Sequence, residues 1–124
     1  MRHLITAMLL VVGVIHLLPL AGVLGAARLE ALYGVAVDGP DLEILLRHRA
    51  VLFGLLGAFC VAAAFRRAWQ AAAVFAGFVS VASFLVLAWF AGGYNDEIAR
   101  VVAADVVALG CLGLAAFGLA RRPR

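Results

Sequence analysis

"AWQAAAVFAGFVSVASFLVLAWFA" (Ala68–Ala91) contains no charged residue and no proline. Coiled into a helix at 1.5 Å per residue, it reaches roughly 35 Å, enough to cross a hydrocarbon core of about 30 Å. Its neighbours mark its ends. "RR" at 66–67 forms a tight turn before it, and "GGYNDE" at 92–97 is a short loop after it. Beyond these breaks lie three further apolar runs, at about 4–25, 42–65 and 98–120. Each is about 22 residues or slightly longer, again the length of a membrane crossing. The expected fold is all-α: an integral membrane bundle of four transmembrane helices, in one domain covering residues 1–124.

Composition agrees. The chain is 67% hydrophobic, with a mean hydropathy of +1.13. A soluble domain is nearer half apolar, and too little polar surface is present here to cover one. The first run has a basic start and a "GAA" at 25–27, as in a signal peptide. Its length, and the interruption by His16 and Pro19, favour an uncleaved first helix. Cys60 and Cys111 fall within apolar runs and read as small packing residues. Gly13, Gly54, Gly57, Gly77, Gly110 and Gly113 are expected to let helices approach closely, and Ser80 and Ser83 to bond between them.

The charges give an orientation. Arg2, Arg66, Arg67, Arg121, Arg122 and Arg124 gather at one end of a threaded four-helix chain. Glu30, Asp38, Asp41, Glu43, Asp96 and Glu97 fall on or near the other. Arginine marks the cytoplasmic side, so both termini are expected in the cytoplasm and both polar loops outside. The net charge of +3 is thus a topological signal, and nucleic acid is excluded as a partner because no basic face on a soluble element exists. The longest link, 26–41, should form one or two interfacial turns carrying Arg28, Leu29, Leu32 and Tyr33 before Gly34 stops them.

The informative residues are the ionisable ones within the runs. In "LEILLRHRAVLFGLLGAF" (Leu42–Phe59), Arg47, His48 and Arg49 lie roughly 7–11 Å below the outer end of the second helix. Asp105 lies about 10 Å below the outer end of the fourth, and His16 about 13 Å below that of the first. All share the outward half. Glu43, four residues before Arg47, suits an ion pair that reaches towards headgroups. Arg49 points roughly 160° away from Arg47, so one of the two faces the bundle. Asp105 is its natural counter-charge. Pro19, one turn after His16, loosens the first helix. In the outer loop, Asn95 or Asp96 can cap the last helix, Asp96 stands four before Arg100, and Tyr94 is a candidate lid. The candidate ligand-binding set is therefore His16, Arg47, His48, Arg49, Tyr94 and Asp105. The alternative is structural: the bases snorkel to the interface, and an Asp–Arg pair ties two helices together.

The segments "HLLPLAGVLGAARLEALYG" (16–34), "LRHRAVLFGLLGAF", "GGYN" (92–95) and "RVVAAD" (100–105) carry a resemblance. The chain resembles, over nearly its whole length, a family of small uncharacterised bacterial four-helix membrane proteins, some labelled phosphopantetheine adenylyltransferase. The soluble enzyme of that name uses a TxGH-type phosphate motif on a parallel sheet. No GH dipeptide and no Lys occur here, so that label assigns no catalytic residue. There is no HExxH or paired-Cys motif, and no metal or cofactor is expected. The reading is a binding or accessory module, favoured over an enzyme, whose outward polar pocket holds an anionic amphiphile or lipid headgroup. Membrane lipid is the expected partner, with a second copy or another protein as a further one. A small proton-coupled transporter using His16 and Asp105 is the first alternative. A membrane enzyme acting on a lipid-like substrate through His48 or Asp105 is the second.

Overall fold

The computed structural model describes residues 1–123. Helix α1 spans Arg2–Leu17 and continues as a 3-10 segment, Leu18–Leu24. A short α2 follows, Ala26–Tyr33, then α3, Pro40–Ala64. A 3-10 turn at Arg67–Trp69 leads into α4, Gln70–Ala91, and α5 runs from Asp96 to Ala120. No strand occurs among the described residues. Four helical stretches, Arg2–Leu24, Pro40–Ala64, Arg67–Ala91 and Asp96–Ala120, are long and apolar enough to cross a membrane. The protein is an all-α, multi-pass membrane bundle.

The helix ends follow local chemistry. Pro19 removes an amide from the α1 ladder, and the chain tightens to 3-10 geometry from Leu18. Gly34 closes α2 in the left-handed region, φ +62°. Pro40 sits in the first turn of α3, where its missing N–H costs nothing, with Asp41 and Glu43 at the positive end of the helix dipole. Asn95 caps α5, its Oδ1 accepting from the Ile98 amide at 2.8 Å.

Helices α1 and α3 make the tightest seam. A methyl group on Gly57 would sit 2.9 Å from the Gly13 carbonyl oxygen and 3.0 Å from the Leu17 nitrogen. One on Gly13 would meet Val61 at 2.7 Å. Gly54 receives Leu20, and Gly77 receives Leu112. Gly110 and Gly113 have open space beside them, against expectation. The α5 glycine that packs is Gly118, against Ile5 of α1. Helix α1 also packs along α5, α5 along α4 and α4 along α3. The shared core holds Ile5, Leu9, Val12, Cys60, Val81 and Leu112. A smaller cluster, Leu29, Tyr33 and Val37, seats α2 and the following loop over one end of the bundle. This is the loop end; both chain ends lie at the other, the termini end.

Large apolar side chains cover the outside. Phe75, Leu87, Trp89 and Phe90 are all more than two-thirds exposed. In water such a surface would drive aggregation, whereas in lipid it is the solvated face. Trp69 and Trp89 stand at opposite ends of α4, roughly 30 Å apart along the helix, matching the two interfacial aromatic belts of a bilayer.

Candidate functional site

A cavity of about 250 Å³ lies at the loop end, between the bent α1 and α5, beneath α2. Ile15, Leu18, Leu32, Phe53, Val101 and Ala104 form its apolar walls. Its polar groups are His16, Tyr33, Arg49, Glu97, Arg100 and Asp105. Three of the six expected site residues, His16, Arg49 and Asp105, therefore meet here from three different helices.

Arg49 is the inward member of the basic triplet. Its Nη1 donates to the Tyr33 hydroxyl at 2.8 Å. The guanidinium lies 4.5 Å from the centroid of Phe53, 5.1 Å from that of Tyr33 and 5.8 Å from that of Phe84. Aromatic faces at these distances stabilise a desolvated cation electrostatically. No carboxylate among the described residues approaches Arg49 within 4.0 Å. Asp105 lines the same cavity without closing the expected ion pair. It makes no hydrogen bond among the described residues, and no buried side-chain oxygen or nitrogen lacks a partner. Its carboxylate is therefore open to the cavity. Polar side chains at this depth are costly, and these two are placed to share whatever the cavity contains.

His16 is only 2% exposed, and both ring nitrogens are engaged. Nδ1 lies 2.9 Å from the Val12 carbonyl, and Nε2 lies 3.0 Å from Ser80 Oγ. The carbonyl can only accept, so Nδ1 carries the proton, and Ser80 donates to Nε2 of the neutral ring. His16 thus ties α1 to α4 and forms a wall of the cavity, with no free N–H for a ligand. Its ring also lies 5.7 Å from that of Phe53. Phe53 and Arg49 line a second cleft too, of about 190 Å³, with Leu52, Leu56 and Ser80.

Arg47, His48 and Tyr94 stand outside the cavity. Arg47 donates from Nε to the Val23 carbonyl at 2.9 Å and pairs with Glu43 at 3.5 Å, as the four-residue spacing implied. It braces the 3-10 segment from the surface. His48 is exposed, because one residue along a helix turns the side chain by about 100° from Arg49. Tyr94 is 44% exposed and touches neither cavity. The tyrosine of the site is Tyr33.

Sequence reasoning missed Tyr33, Phe53, Glu97 and Arg100. Tyr33 had a signal: Leu29 and Tyr33 are four apart, and both bury on one face of α2. Arg100 was assigned to Asp96, yet the only ion pair within 4.0 Å among the described residues is Arg47–Glu43. Asn95 does more than cap α5. Its Nδ2 also donates to the carbonyls of Tyr33 and Gly34, at 2.8 and 3.0 Å, locking α2 over the cavity.

Comparison with protein-family models, with curated proteins and with solved structures finds no match.

Proposed function

We propose that this protein is a small binding or accessory module of a bacterial inner membrane, with both termini in the cytoplasm. Its loop-end cavity holds an amphiphile with an anionic head. The resemblance to small bacterial four-helix membrane proteins belongs to the same reading. The observation that carries it is Arg49. It is half-buried, it is cradled by three aromatic rings, and no carboxylate among the described residues lies within 4.0 Å of it. An anionic head seated there gains charge-assisted hydrogen bonds from Arg49, while Tyr33 fixes the guanidinium and Arg100 stands at the rim. The apolar walls take the first part of the tail. Glu97 and Asp105 leave the lining formally neutral against its two arginines, which suits a head that also presents a donor, such as a hydroxyl or amine. No serine, cysteine or lysine lines this cavity, so the enzymatic alternative lacks the common nucleophiles.

The test is titration calorimetry of the detergent-solubilised protein with dodecyl phosphate. The wild type should bind saturably. Arg49→Ala, which removes the charge, and Ala104→Phe, which fills the cavity, should each weaken binding at least tenfold. Equal binding by all three proteins, or none by the wild type, would overturn the proposal.

The transporter reading draws on a separate observation, that the cavity and the α3–α4 cleft share Arg49 and Phe53 as a common wall. It requires pH-driven flux in liposomes that Asp105→Asn removes.

A further inference from the structure

The termini end carries a larger cavity of about 650 Å³. Its charged and titratable side chains are Arg2, His3, Arg67 and Arg122, and no Asp or Glu lines it. The seven Asp and Glu side chains lie elsewhere, at positions 30, 38, 41, 43, 96, 97 and 105. Three arginines therefore line one concavity that no Asp or Glu lines among the described residues.

A built polar network holds one wall. Gln70 is only 3% exposed. Its Oε1 accepts from Arg122 Nη2 at 2.6 Å, and its Nε2 donates to the Ala64 carbonyl at 3.2 Å. The same carbonyl accepts from Thr6 Oγ1 at 3.0 Å. Thr6 stands on α1, Ala64 ends α3, Gln70 opens α4 and Arg122 follows α5. All four spanning helices are joined at this point, and Arg122 is fixed at the cavity instead of trailing into solvent.

The arginines of this end divide into two sets. Arg66 lies over the Trp69 ring at 4.8 Å, and Arg121 over the Phe117 ring at 4.8 Å. These two are satisfied on exposed aromatic faces, as snorkelling side chains are. Arg2, Arg67 and Arg122 line the cavity, and none pairs with an Asp or Glu among the described residues. Desolvation and the neighbouring Arg67 charge together hold the Arg122 pKa below its ordinary value. Like charges kept this close are relieved by an anion between them.

We propose that the termini-end cavity is a second anion site, distinct from the loop-end cavity, that takes a phosphate group through Arg2, Arg67 and Arg122. The chemistry is that of a phosphate monoester or diester. Arginine forks match its oxygens two at a time, and the Thr6–Ala64–Gln70 network keeps Arg122 oriented to receive them. The volume admits an anionic lipid headgroup or a free polyphosphate, and the two are separable by experiment.

The test follows thermal unfolding of the full chain in a nonionic detergent. Dioleoyl phosphatidylglycerol, sodium pyrophosphate and dioleoyl phosphatidylcholine are titrated separately, into the wild type and into the double variant Arg2→Gln/Arg67→Gln. Neither substituted side chain makes a hydrogen bond within the described residues, and the Arg122–Gln70 bond is untouched, so the fold is retained. A saturable rise in Tm with phosphatidylglycerol alone identifies a lipid headgroup; one with pyrophosphate identifies a free phosphate. In either case the half-saturating concentration should rise at least tenfold in the double variant and with added salt. The same titrations are repeated in an Arg49→Ala background, which silences the loop-end cavity; the tenfold difference should persist there, so failure here is separable from failure of the loop-end reading. No saturable shift with either phosphate probe, the same shift in the double variant, or an equal shift with phosphatidylcholine would overturn the proposal.

Discussion

Arg49 and His48 show how much a single position decides. Both are polar, both sit in the same apolar helix, and a rotation of about 100° sends one into the bundle and the other outward. The inward face was legible, because Ala50, Gly54, Gly57 and Cys60 recur at three- and four-residue intervals and all are buried. That seam leaves out His48, which lies on the opposite side of the helix, but Arg47 and Arg49 flank it on either side and it does not choose between them. The partner of Arg49 was not legible. Asp105 was the only acid at its depth, yet the contacts come from Tyr33, Phe53 and Phe84, which three different elements supply. His16 is similar: its depth could be counted, but its bond to Ser80 depends on how α1 faces α4. A hydrogen bond between membrane helices contributes about 0.6 kcal/mol on average and up to about 1.7 kcal/mol. Ser80→Ala is expected to lower stability by about 1 kcal/mol in a mixed-micelle denaturation series. His16→Phe should lower it further, because the ring's bond to the Val12 carbonyl is lost as well. An unchanged midpoint in both would remove His16 from the structural account.

At the scale of elements, the four spans were plain in the apolar runs, and their ends agree to within about two residues. Local chemistry set them: Pro19 bends the first, Gly34 stops the bridging turn, and Asn95 starts the last. Which helices touch was less plain. Six glycines were expected at interfaces, and Gly110 and Gly113 instead face open space. A glycine in an apolar helix signals close packing only if a neighbour arrives, and hydropathy does not say from which side. The difference is measurable. Gly57→Ala drives a methyl group into the α1 backbone at 2.9 Å, so the two helices must part, at a cost of about 1–3 kcal/mol. Gly110→Ala meets nothing and should be neutral or stabilising by up to about 1 kcal/mol through helix propensity. Equal effects of the two substitutions, read from unfolding in detergent, would contradict the α1–α3 seam.

The whole molecule has two unlike ends. The loop end carries every Asp and Glu, a lid made by α2 and Asn95, and a small cavity of mixed charge. The termini end carries five of the described arginines and a large cavity that no Asp or Glu lines among the described residues. This polarity was legible from the order of charges, because an even number of crossings returns the C-terminus to the side of the N-terminus. The cavities were not legible, since each is built from residues up to about a hundred positions apart. Placing the basic end in the cytoplasm predicts that a fluorescent protein fused after Arg124 glows in bacterial cells, and that alkaline phosphatase fused there is inactive. The reverse pattern would invert the proposed topology and move the loop-end cavity to the cytoplasmic leaflet. The central claim is that the loop-end cavity holds an amphiphile through Arg49. Native mass spectra of the gently extracted wild type and of Arg49→Ala test it most directly. The account predicts a reproducible adduct of amphiphile mass on the wild type that is absent from the variant. An adduct retained on a folded Arg49→Ala protein, or none on the wild type, would contradict it and leave Arg49 as a cation that only holds α3 to its aromatic neighbours.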